Sequence, residues 1–241
     1  MSNHDLTVFL HIPKTGGTTL NQIFRKQYQI FEFFDHDSLE YKVIKLDQLT
    51  EEQKKQIKAV AGHYSYGIHE EFSQSFTYFT MLRDPVNRVI SLYYFLRDYP
   101  GYERLQTMSL EEYVIKEDEA HNGQTVLISG SLENPDLEKA KERLKKFAMV
   151  GITEKFNESL FLLQKTFDWK DILYRKENIT MNRPSRDEIP TDVINLIKQY
   201  NSLDIELYEF AKKLYQEKLH SLSPDEQAQL EKYIQEQSLL S

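Results

Sequence analysis

Lys14, Thr15, Gly16, Gly17, Thr18 and Thr19 stand within "LHIPKTGGTTLNQIF", residues 10–24. Glycines adopt positive φ and let the backbone approach a ligand closely. Free amides at a helix start, with the positive end of the helix dipole, attract an anion. Thr15, Thr18 and Thr19 add hydroxyl donors, and Lys14 adds a point charge at the mouth. The stretch reads as an anion cradle, with an ordinary strand–turn–helix connection as the plainer alternative. Its lysine precedes the glycines, whereas an ATP-binding loop, G-x-x-x-x-G-K-[ST], carries it after them.

A second anion signal is "MLRDPVNRVIS". Arg83 ends a predicted strand. Asp84, Arg88 and Ser91 fall on one side of the following helix, opposite a Val/Ile/Tyr stripe. An arginine fork with a serine hydroxyl suits a second phosphate. Alternatively, Arg83 pairs with a carboxylate and Ser91 is merely small. A third signal is His63 in "AGHYSYGIHEEF", again just after a predicted strand. A histidine there can act as a general base near neutral pH, or be a hydrogen-bonded structural residue. His69, Glu70 and Glu71 read as a solvated turn or helix start. His4, His11, His36, His121 and His220 are scattered and read as structural or exposed. Trp169 and most tyrosines read as packing, with Tyr64, Tyr66, Tyr93 and Tyr94 as candidates for the rim of an acceptor cleft. The run "KAKERLKK" (139–146) reads as a solvated helix face rather than a glycan-binding patch.

These residues need elements to position them. Residues 7–12 form a short apolar run, predicted as a buried strand. A helix follows from about Thr18, with Leu20, Ile23, Phe24 and Ile30 inward. Residues 41–46 are a candidate strand or loop edge. Thr50 and Gln53 form a capping box for a helix to about Lys58. Residues 59–66 read as a strand entering a loop, and 76–82 as a second buried strand. Asp84 as N-cap and Pro85 at the first position start a helix over 84–99. Ser109 with Glu112 caps a short helix, and another covers 134–147. Residues 148–152 form a strand, Thr153 starts the next helix, and 171–175 are a candidate last strand. Residues 191–239 read as mostly helical. Strands alternating with helices imply a parallel sheet covered on both faces, with ligands outside the strands' carboxyl ends.

The chain has 241 residues, 40% apolar and 28% charged, enough for one large α/β domain spanning 1–241 with a helical C-terminal part from about 191. A net charge of −8 argues against a general nucleic-acid binder. There is no cysteine, which excludes disulfides and thiolate metal sites and suits a cytoplasmic protein. The start "MSNHDLTVFL" lacks a signal-peptide pattern, and no run approaches the ~20 apolar residues of a membrane span.

The stretches "IPKTGGTTL", "GHYSY", "RDPVNRVISLYYFLR" and "VGITEKFNESLFLL" occur in the order and spacing of a known family, and "LYEFAKKLY" near residue 207 is similar to its C-terminal helix. The chain resembles the 2-O-type sulfotransferases, the group of heparan sulfate uronyl 2-O-sulfotransferase and its bacterial relatives. The resemblance implies a three-layer, P-loop-like α/β fold and the donor 3′-phosphoadenosine 5′-phosphosulfate (PAPS), without a metal. It implies that Lys14 to Thr19 hold the 5′-phosphosulfate, that Arg83 and Ser91 hold the 3′-phosphate, and that His63 is the catalytic histidine. Arg183, in "MNRPS", sits where the family has a basic nucleotide-contacting loop. Ala61 stands where heparan-sulfate enzymes carry a second histidine, Gln22 where they carry an asparagine, and Val126, in "NGQTVLISG", where bacterial members have an arginine. The expectation is an enzyme moving a sulfuryl group to a hydroxyl on a sugar, lipid precursor or small metabolite. A P-loop-type small-molecule kinase and a non-catalytic nucleotide- or glycan-binding module are the alternatives. The lysine order and the Arg83/Ser91 pair argue against the kinase.

Overall fold

The computed structural model describes residues 5–35, 46–175 and 184–240. Five parallel strands form one sheet: β1 (Leu6–Leu10), β2 (Phe33–Asp35), β3 (Ala59–Gly62), β4 (Phe76–Leu82) and β5 (Met149–Ile152), in the order β2-β3-β1-β4-β5. Every residue of β1, β3 and β5 is buried. Successive side chains point to opposite faces, so helices must cover the sheet on both sides, as the apolar runs imply.

Ten α-helices are described: α1 (Gly17–Arg25), α2 (Glu51–Gln56), α3 (Pro85–Leu96), α4 (Leu110–Lys116), α5 (Gly123–Ser129), α6 (Leu137–Lys146), α7 (Phe156–Phe167), α8 (Thr191–Tyr200), α9 (Ser202–His220) and α10 (Pro224–Ser238). The predicted caps form. Thr50 and Gln53 exchange hydrogen bonds at α2, Ser109 and Glu112 do so at α4, and Asp84 accepts from Asn87 N–H at α3. α7 begins at Phe156, after a 3-10 turn over Thr153–Lys155.

Two expectations need correction, and a third falls mostly outside the described residues. Residues 171–175 are not a strand. The backbone N–H and C=O of Tyr174 bond to the side-chain amide of Gln237 on α10, which occupies the place of a neighbouring strand. The fifth strand is instead β2, whose three edge residues are too short to show a period. α1 ends at Arg25, so Ile30 falls in a 3-10 turn and is 69% exposed rather than inward. The candidate strand at 41–46 lies outside the described residues up to 45, and Leu46–Gln48 form a 3-10 turn.

Register decides where chemistry can occur. Leu10 is level with Gly62 and Thr80, and Leu82 with Ile152. Parallel strands share one carboxyl edge, so the residues just beyond them emerge together: His11, His63, Arg83 and Thr153.

Candidate functional site

The loop from Pro13 to Gly16 leaves the central strand and opens onto α1. Gly16 has φ +84°, the left-handed conformation expected of it, and Lys14 shares it at φ +70°. Gly17 is helical, and a different constraint applies. A Cβ there would sit 1.8 Å from His11 Nε2, so the imidazole packs directly on the glycine. The N-cap of α1 is Gly16, which has no side chain to cap it, and the first turn carries no acid, which leaves its leading amides and dipole suited to an anion. Thr18 is exposed and Thr19 half-buried, so both hydroxyls can reach a ligand. Thr15 is fully buried and its hydroxyl donates to Ile12 C=O at 2.8 Å, so only its backbone can serve the cradle.

The other two signals meet this loop. Arg83 Nη1 donates to Lys14 C=O at 2.9 Å, which places the guanidinium against the cradle. His63, exposed at the carboxyl end of β3, makes a 2.8 Å bond from Nδ1 to His11 C=O. A carbonyl only accepts, so Nδ1 carries the proton, and in the neutral ring Nε2 is the accepting nitrogen. The His11 and His63 rings lie 4.2 Å apart, and His11 stacks in turn on Phe9 at 5.1 Å. Lys14 Nζ lies 4.0 Å over the Phe95 ring, a cation–π contact on the same rim. Thr153 Oγ1 reaches both Thr15 C=O (2.8 Å) and Leu82 C=O (3.0 Å), tying the loop to the end of β4.

Ser91 is 3% exposed and Arg88 2%, in keeping with a helix most of whose residues are buried. Arg88 turns to the buried Asp204 of α9, with Nε 3.9 Å from Oδ2. His69 is not a solvated residue. It is half-buried, its Nδ1 lies 2.8 Å from Tyr78 Oη, and burial holds its imidazole below the ordinary value. Burial likewise pushes the Tyr78 hydroxyl up to about 12. Tyr66 packs in one aromatic cluster with Tyr78 and Phe147, with Arg143 over its face, and Tyr93 is buried, so neither forms an open rim. Arg183 lies outside the described residues. Nearby, Arg186 bonds Asp84 at 3.3 Å, and Glu154 links Asp84 N–H to the Tyr208 hydroxyl.

Several site residues carried no clear sequence signal. His11 directly follows the central strand, a position shared with His63 and Arg83, and that is the signal for it. Phe95 continues the Asp84–Arg88–Ser91 spacing by one more turn. Glu154, Arg186 and Thr153 act through main-chain or loop contacts that no residue spacing announces.

A basic fork, a lysine, uncapped helix amides and an exposed imidazole thus share one sheet edge. That set fits a nucleotide bearing two separate anionic groups beside a proton-accepting base. The family model described as Sulfotransferase family matches residues 1–211. Human heparan-sulfate 6-O-sulfotransferase 3 is 25% identical, over 91% of this chain and 59% of that protein. Heparan-sulfate 6-O-sulfotransferase 2 of Gallus gallus is 26% identical, over 97% and 72%. Human galactose-3-O-sulfotransferase 3 is 24% identical, over 86% and 55%. The chain spans about three fifths of the human 6-O relative's length. These relatives bear 6-O and 3-O names, where the motifs resemble the 2-O-type group, so the common ground is the family and not the position sulfated. Matched over most of its length by that model, the chain belongs to the Sulfotransferase family.

Proposed function

We propose that the protein transfers a sulfuryl group from PAPS to a hydroxyl of a carbohydrate acceptor. One observation carries this reading: Arg83 and His63 both bond to the loop around Lys14, through Lys14 C=O and His11 C=O respectively. The sugar acceptor is supported by the names of the relatives, which sulfate heparan sulfate and galactose.

Bound at this edge, PAPS supplies an activated sulfuryl group on its 5′-phosphate. Lys14, the amides of Gly16 to Thr19 and the α1 dipole offset the charge that develops on the leaving oxygen. Arg83 holds the 3′-phosphate with its guanidinium. His63 Nε2 takes the proton of the acceptor hydroxyl. The Nδ1–H bond to His11 C=O makes Nε2 the basic nitrogen of the neutral ring.

Calorimetry with 3′-phosphoadenosine 5′-phosphate (PAP), AMP and ATP–magnesium tests the reading. PAP binds more tightly than AMP, and Arg83→Ala removes ~1.5–3 kcal/mol of PAP binding while AMP changes little. Equal binding of PAP and AMP by the wild-type protein refutes it.

A further inference from the structure

Gln124 lies in none of the motifs that the proposed chemistry uses. It is fully buried, near the start of α5 in "NGQTVLISG". Its Oε1 accepts from Arg83 N–H at 2.9 Å and its Nε2 donates to Arg83 C=O at 3.0 Å. A side-chain amide is a peptide group in all but connectivity. Here it supplies one more rung to β4 after the strand has ended at Leu82. With both main-chain polar groups of Arg83 committed, the direction in which its side chain leaves the backbone is set. That direction brings Nη1 to Lys14 C=O.

Gln124 is itself held from the far side. Gln124 N–H donates to Asp204 Oδ2 at 3.1 Å, and Thr125 N–H and Oγ1 donate to Asp204 Oδ1 at 2.7 and 2.8 Å. In return, Asn122 Oδ1 accepts from Leu203 and Asp204 N–H near the start of α9. Each helix start is thus capped by a residue of the other. Asp204 is fully buried, and Arg88 supplies the neighbouring positive charge. The Arg88 guanidinium lies against Gly123. A Cβ at Gly123 would meet Arg88 Nη2 at 2.5 Å.

We propose that Gln124 is a positioning residue of the donor site, fixing Arg83 for the 3′-phosphate and so setting the preference for a 3′-phosphorylated nucleotide. The proposal rests on Arg83 being the 3′-phosphate ligand. Its consequence is selective. Loss of the two Arg83 bonds loosens one guanidinium and leaves the cradle of Gly16 to Thr19 in place.

The test compares PAP and AMP dissociation constants in the wild-type protein, in Gln124→Met and in Gln124→Glu. Methionine keeps the volume and removes both bonds. Glutamate keeps an acceptor for Arg83 N–H. The expected result for Gln124→Met is a PAP constant raised about tenfold, the scale of one or two net hydrogen bonds, with the AMP constant unchanged. Gln124→Glu shifts the PAP-to-AMP ratio in the same direction by less. A folded variant with the wild-type ratio, or with PAP and AMP weakened equally, overturns the proposal. Should neither variant fold, NMR of the wild-type Gln124 side-chain NH2 decides. The resonance moves when PAP is added and stays when AMP is added, and no response to PAP overturns the proposal. Wild-type protein that binds PAP and AMP alike refutes the donor reading itself, a result separate from either outcome for Gln124.

Discussion

Gly17→Ala probes the packing that holds His63. The added Cβ would stand 1.8 Å from His11 Nε2 and 2.0 Å from Cδ2, where ordinary contact begins near 3.4 Å. The imidazole must retreat by about 1.6 Å. It has little room to do so, being 6% exposed and stacked between Phe9 and His63. Overpacking of this kind costs ~1–3 kcal/mol. Gly17 is the first residue of α1, where the helix preference of alanine returns little of this. The expected net loss is ~1–3 kcal/mol. Removing the ring removes the clash, so in a His11→Ala background the same change is neutral or stabilising. A double-mutant cycle by urea unfolding therefore shows ~1 kcal/mol or more of coupling. Sulfuryl transfer falls further than stability, because an ångström-scale shift of a catalytic group costs up to ~10²-fold. Wild-type stability in Gly17→Ala, or an equal penalty with and without the His11 ring, refutes this packing account.

Two further outcomes follow from the same geometry. Lys14→Ala lowers kcat more than it weakens PAP binding, because the leaving oxygen gains charge only as its bond to sulfur breaks; lost affinity at normal kcat would make Lys14 an anchor alone. His69 is held below its ordinary pKa chiefly by burial, with Glu70 opposing and Arg143 adding to the shift. The folded form therefore favours the neutral ring. Its contribution is complete above the unfolded value of ~6.5 and is lost as pH falls from there to the lower folded value. Urea unfolding at pH 7.5 and 5 should show this acid-side loss reduced in His69→Gln, and an unchanged slope would contradict it.

The sheet was legible because its strands are apolar runs, and parallel pairing turns such runs into one shared carboxyl edge. That rule alone brought Lys14, His63 and Arg83 together before any coordinate was known. β2 escaped because an edge strand of three residues has no measurable period. The segment at 171–175 misled because Gln237 satisfies its backbone as a strand would. Arg88 was placed by helical spacing on a ligand face, yet spacing cannot show that Asp204 of α9 draws it inward. His11 and Gln124 were hidden for a related reason. A ring lying on a glycine, and an amide bonded to another residue's backbone, depend on contacts 6 and 41 residues apart in the chain.

The most direct test of the central claim is sulfuryl transfer by His63→Ala, read as PAP released from PAPS across a panel of saccharide hydroxyl acceptors, with PAP affinity measured on the same protein. General-base catalysis typically contributes ~10²–10⁴-fold. The account predicts a loss of that size with PAP affinity near the wild-type value. A folded His63→Ala protein that transfers at the wild-type rate would contradict it.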